Sequence, residues 1–200
     1  MIYDEGIAKK VAELLLQIKA IILEPTNPFI WASGWNAPIY CDNRKTLSYP
    51  EIRTYIRKKL SEIIKNNYKN VDVIAGIATG GIPHGILVAE ELNLPFIYIR
   101  TQKKEHGKQN KIEGSCEEGQ KIVLIEDLIS SGKSSLEAVK SLRDNKINVQ
   151  GVISIFTYGF EAASVNFKNE KCEFISLCNY NTMLIQALKT NYINKKDLHT

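Results

Sequence analysis

The sequence predicts an α/β protein, a parallel twisted sheet flanked by helices on both faces, preceded by a small irregular N-terminal segment at about residues 24–49. Two observations carry this. Short apolar runs rich in β-branched residues, Val71–Ile77 and Ile122–Ile125 among them, alternate with stretches whose apolar residues recur at helical spacing. The polar and small-residue segments Ala78–Gly81, Arg100 and Glu126–Ser134 all fall at the carboxyl ends of these runs, where open parallel sheets bind their ligands. A chain of 200 residues suits one domain over residues 1–200 with a sizeable core.

Taken in order, Asp4–Leu23 places Ile7, Val11, Leu14, Leu15, Ile18, Ile21 and Ile22 on one helical face, with Asp4 as N-cap and Pro25 as terminator. Glu24–Tyr49 then changes character. Its prolines, tryptophans and asparagines favour extended pieces and turns. Ser48-Tyr49-Pro50-Glu51 reads as a capping box opening a helix that Asn66-Asn67 ends. Val71–Ile77 is a buried strand, Ala78–Gly81 a small-residue turn, and Ile82–Leu92 a helix bearing His84 in a structural role. Pro95–Ile99 is the next strand. From Thr101 to Gln120 the chain is almost wholly polar, a loop length that in compact domains is usually functional.

Lys121–Ser135, KIVLIEDLISSGKSS, is the centre of the chain. A buried strand ends in Glu126 and Asp127, and Ser130-Ser131-Gly132 turns into a helix with Leu136, Val139 and Leu142 inward. Ser131 or Ser134 is expected to cap that helix, the latter in a box with Glu137. Carboxylates accept hydrogen bonds from ribose hydroxyls, and exposed amides at a helix start hold phosphate, so the layout suits a sugar phosphate. Gly132-Lys133-Ser134 is not a Walker loop, because that motif needs glycine where Asp127 stands. Gly80–Gly85 has the wrong glycine spacing for a dinucleotide fingerprint. Val149–Tyr158 and Glu173–Leu177 are the last strands, around a short helix at Phe160–Phe167. A final helix, Met183–Lys189, is capped by Asn181 or Thr182.

Composition removes other classes. A net charge of +4 permits anionic substrates, but the Lys/Arg clusters lack the interleaved aromatics of a nucleic-acid groove. The four cysteines form no C-x-x-C pair, and free thiols in a reducing cytoplasm are expected. The sequence shows neither a signal-peptide pattern nor an apolar run long enough for a membrane span.

VLIEDLISSGKS resembles the PRPP-binding motif of type I phosphoribosyltransferases: a hydrophobic strand, two acids, two apolar residues, then a hydroxyl–small–glycine phosphate loop. Two flanking segments narrow the resemblance to orotate phosphoribosyltransferases. FIWASGWNAPIYCDNR is similar to that family's hood, and Arg100 with Lys104-Glu105-His106-Gly107 is similar to its catalytic loop. Many members carry a lysine where this chain has Ala32 or Asn36, and some place an arginine where Thr157–Phe160 stand.

The resemblance implies transfer of ribose 5-phosphate from PRPP to orotate, in the pathway to UMP. It implies Lys104, His106 and Asp127 as catalytic residues. PRPP would be bound by Arg100, Lys103, Lys104, His106 and Glu126–Ser134, that is Glu126, Asp127, Leu128, Ile129, Ser130, Ser131, Gly132, Lys133 and Ser134. Thr79, Gly80 and Gly81 would form the pyrophosphate loop, and Ser130 would also touch orotate. Mg²⁺ would be held mainly through PRPP rather than by direct protein ligands. A homodimer is implied, the mobile loop at 101–120 reaching the neighbouring active site. The alternatives are a PRPP-binding regulator and a phosphoribosyltransferase for another base.

Overall fold

The computed structural model describes residues 1–31, 34–100 and 111–199. Helix α1, Glu5–Gln17, begins where the Asp4 carboxylate accepts the Ile7 N–H at 2.8 Å. It ends earlier than its periodicity predicts. Lys19 takes a left-handed φ of +52°, and Ile21–Leu23 becomes strand β1, paired antiparallel with Ile39–Cys41. Pro25 is therefore not the terminator. Between these two strands, Phe29–Ile30 (β2) pairs with Asn36–Ala37 (β3), and Ile39–Cys41 is β4.

A 3-10 turn, Asn43–Ser48, leads to α2, Pro50–Asn67. The expected capping box does not form: Tyr49 is the N-cap and makes no side-chain capping bond. Ser48 closes the preceding turn instead, while Pro50 occupies the first helical position, where a missing N–H costs nothing. Strand β5, Val73–Ile77, α3, Gly81–Leu92, and β6, Phe96–Ile99, follow as expected. Within the polar loop, Ile112–Glu113 forms a short strand β7, antiparallel to β6.

Strand β8, Lys121–Ile129, runs through the paired acids instead of stopping at them. The reason is its neighbour. Strand β9, Asn148–Thr157, stays in register to the end, with Glu126 opposite Ser154, Leu128 opposite Phe156 and Ile129 opposite Thr157. Between them lies α4, Lys133–Asp144; α5, Glu161–Asn169, and β10, Phe174–Asn179, follow β9. Helix α6, Tyr180–Lys189, is capped by Asn179, whose side chain accepts the Thr182 N–H, so neither Asn181 nor Thr182 is the cap.

The sheet order is β10-β9-β8-β5-β6-β7, parallel except for β7. Alternation along the strands separates two cores. Ile74, Val123, Ile125, Ile153 and Leu177 face α1, α2, α3 and α6. Val73, Ala75, Ile77, Leu124 and Val152 face α4 and α5. Helices therefore cover both faces of the sheet. No helix among the described residues is long and apolar enough to cross a membrane.

Phe156 lies fully inside, edge-on to Tyr158 at 5.7 Å. Phe156→Ala should lower unfolding free energy by about 3–5 kcal/mol in a urea titration, because it removes a fully buried ring and leaves a cavity in the core.

Candidate active site at the carboxyl ends of β5 and β8

The chain leaves β5 toward β6 on one side and returns as β8 on the other, so a crevice opens between their carboxyl ends. Strand β5 pairs with β8 only as far as Gly76 opposite Ile125. Beyond that point, among the described residues, β8 has a strand partner on its β9 edge alone. Side chains take over the other edge. The Asp127 N–H donates to Glu126 Oε1 at 3.0 Å, and the Asp127 carbonyl accepts from Asn43 Nδ2 at 2.7 Å.

Glu126 is 5% exposed and also accepts from Ser135 Oγ at 3.2 Å. Burial, and then the Asp127 carboxylate beside it, push its carboxyl well above the usual carboxylate range. Asp127 is half-buried. Among the described residues, neither acid is paired with a guanidinium.

Facing them is the turn Thr79-Gly80-Gly81, preceded by a cis peptide between Ala78 and Thr79. A Cβ on Gly80 would run into the Asp127 carboxylate, and one on Gly81 into the Ile125 carbonyl oxygen. Glycine at both places lets this turn lie directly on the acidic end of β8.

Past the acids, Leu128, Ser130, Ser131, Gly132, Lys133, Ser134 and Glu137 line a groove of about 420 Å³. Gly132, at φ +79°, is the N-cap of α4, and the ring of Phe167 fills the space where its Cβ would go. The helix has no side-chain cap, so neither Ser131 nor Ser134 plays that part, and its first amides are left for an anion. Ile129 belongs to this run only through its backbone. Its side chain is buried, and its carbonyl accepts from Thr157 Oγ1 and the Tyr158 N–H, each at 3.1 Å.

Arg100 ends β6, with its guanidinium 3.4 Å from Glu113. Lys103, Lys104 and His106 lie outside the described residues, as does Ala32 of the hood. His84 is 1% exposed and sits 3.3 Å from Thr46 Oγ1, with its pKa lowered to about 4 by burial, as suits a structural residue.

Three features had not been anticipated. Asn43 reaches the site from the hood. Tyr158 and Phe160 stack at 5.5 Å just beyond β9. Trp31 packs on Tyr158 at 4.9 Å, its indole N–H held by the Ile39 carbonyl at 3.0 Å, and these rings help to line a largely apolar cavity of about 210 Å³. The Tyr-Gly-Phe run directly after a strand was the available signal for the aromatic wall.

A model of the phosphoribosyl transferase domain family matches residues 46–183. An orotate phosphoribosyltransferase of Phocaeicola vulgatus is 54% identical over 190 residues, covering 95% of this chain and 90% of that relative. The chain belongs to the orotate phosphoribosyltransferase family. The family member from Listeria innocua is 49% identical across 98% of this chain and 93% of its own length. The crystal structure of the Aeropyrum pernix orotate phosphoribosyltransferase superposes with a TM-score of 0.80 at 23% identity, over 92% of this chain and 99% of that one, which establishes the shared fold.

The raised Glu126 carboxyl has a measurable consequence. The native state binds a proton that the unfolded chain has released, so stability falls as pH rises from 4.5 upward. Glu126→Gln should flatten that slope and raise the melting temperature at pH 7, as read by thermal melts across the pH range.

Proposed function

We propose that this protein transfers the ribose 5-phosphate group of PRPP to orotate, giving orotidine 5′-monophosphate and pyrophosphate in UMP synthesis. The observation that carries the reading is the apposition of the Glu126–Asp127 pair to the Thr79–Gly81 turn, with the groove at the start of α4 alongside. Family membership supplies the base.

In this reading orotate N1 bonds to ribose C1 and gives up its proton. Pyrophosphate departs with the electron pair of the broken C1–O bond. Positive charge builds on the ribose ring, where Glu126 and Asp127 meet its hydroxyls; Asp127 favours the charge electrostatically, and so does Glu126 once the incoming cation has displaced its proton. The amides and hydroxyls of Ser130–Ser134 hold the 5′-phosphate, and Ser130 also touches orotate. Thr79, Gly80 and Gly81 present amides to the pyrophosphate.

Mg²⁺ fits this site. The Asp127 carboxylate overlies Gly80, which puts hard oxygens beside the pyrophosphate turn, while most of the ion's ligands would come from PRPP. When bound, it spreads the leaving group's charge.

Arg100 and, from the loop over residues 101–120, Lys103, Lys104 and His106 close over the pyrophosphate and exclude water, which would otherwise capture the electron-poor ribose. The protein acts as a cytoplasmic homodimer, each loop serving the neighbouring site. Each protomer is a single phosphoribosyltransferase domain with its hood at residues 24–49. A PRPP complex is known for the Mycobacterium tuberculosis orotate phosphoribosyltransferase.

Protein mixed with PRPP and Mg²⁺ should change the absorbance of orotate and leave uracil and hypoxanthine untouched. Turnover of another base, or of none, overturns the reading. Lys104→Ala should cut kcat on the order of 100-fold while the denaturation midpoint holds, since it removes charge stabilisation rather than core. An unaltered rate would take the loop out of the mechanism.

A further inference from the structure

A buried polar chain joins three segments that meet at the site. Asn43 Nδ2 donates to the Asp127 carbonyl at 2.7 Å. Thr46 Oγ1 donates to the Asn43 carbonyl at 2.6 Å, and His84 Nε2 stands 3.3 Å from the same hydroxyl. Asn43 and Thr46 belong to the hood's 3-10 turn, Asp127 to β8, and His84 to α3, the helix that the Gly80-Gly81 turn opens. All three relay side chains are at most 1% exposed.

Proton counting fixes the direction of the chain. The Thr46 hydroxyl has one hydrogen, and the Asn43 carbonyl takes it. Toward His84 the hydroxyl can only accept, so the imidazole carries its proton on Nε2. Its Nδ1 is then a bare lone pair, and that atom is indeed buried without a hydrogen-bond partner among the described residues.

We propose that Asn43, Thr46 and His84 are positioning residues, which set the backbone of Asp127 against the pyrophosphate turn. The inference rests on the reading of Asp127 as a catalytic carboxylate. Its physical basis is the notch left by β5. At Asp127 no neighbouring strand fixes the free edge of β8, and the Asn43 amide does so in its place. Because Asn43 is tied through Thr46 to α3, the clamp references the carboxylate to the same helix that carries Gly80 and Gly81. Misplacement by a fraction of an ångström at this point changes where Asp127 meets the ribose, not whether the chain folds.

Thr46 tests the relay without touching substrate. Thr46→Val keeps the side-chain shape and removes the hydroxyl. It should lower kcat about tenfold at temperatures well below the melt, leave KM for orotate unchanged, and lower the melting temperature, since the Asn43 carbonyl and the His84 Nε2–H lose their partner. Thr46→Ser should restore kcat. Full kcat in Thr46→Val, or no recovery in Thr46→Ser, overturns the proposal. An unmutated protein inactive on orotate sinks the functional reading instead. The imidazole ¹⁵N spectrum reads the relay independently of turnover: the Nε2–H tautomer of His84 is expected, and the Nδ1–H tautomer would overturn the relay.

Discussion

Strand β8 outruns β5, and the site occupies the notch that this mismatch leaves. A parallel strand without a neighbour exposes alternate N–H and C=O groups on one edge. If buried unpaired, each would cost about 1–3 kcal/mol. At Asp127 both groups are satisfied locally, the N–H by the Glu126 carboxylate and the carbonyl by the Asn43 amide. The strand can therefore stay extended beyond Ile125 with no β5 residue beside it. That extension brings two carboxylates to the mouth of the crevice. It also delivers the chain to Gly132 at the right point to begin α4. A longer β5 would fill the notch and pair off the edge on which Glu126 and Asn43 now act.

The electrostatics follow from the same geometry. Glu126 is buried because β9 carries β8 onward under cover, and burial disfavours its ionised form. Ser135 and the Asp127 N–H hold the carboxyl in place regardless of its charge. Such a group is poorly matched to an apolar surrounding and well matched to an electron-poor sugar or a cation brought in with PRPP. Stability is surrendered in the free protein for a site whose acidic end is already oriented when the substrate arrives.

The parts of this arrangement that were legible in the sequence are those set by local chemistry. The β-branched run Ile122–Ile125, the glycines at 80, 81 and 132, and the exposed amides of α4 all announce themselves within a few residues. The misreadings share the opposite cause. Ile21 and Ile22 continue the helical period of α1, yet they pair with residues near Tyr40, and no window along the chain contains that pairing. Glu126 and Asp127 looked like a strand end because the strand's continuation depends on register with Ser154 and Phe156. Asn43 stands in the segment that resembles the hood, but its bond to β8 gave no local signal, since its partner lies 84 positions away. The caps failed for a related reason. Ser48 and Ser134 have the right identity and spacing, but neighbouring turns placed the true first residues elsewhere.

The hood's attachment is costly in a way that bears on its role. Asn43 Oδ1 and His84 Nδ1 are both buried without partners among the described residues. A half-satisfied polar chain in a low-dielectric interior is less stable than well-packed apolar side chains of the same volume would be. Ile52 and Ile56, nearby in sequence on α2, show that this part of the protein readily supplies such side chains. Retention of three polar residues here is therefore poorly explained by stability. Directional bonds do what apolar contacts cannot: they fix one carbonyl at one distance from one amide. That is the property required where the free edge of β8 must be held without a strand beside it, and it accounts for polar groups at a junction where packing alone would have favoured hydrocarbon.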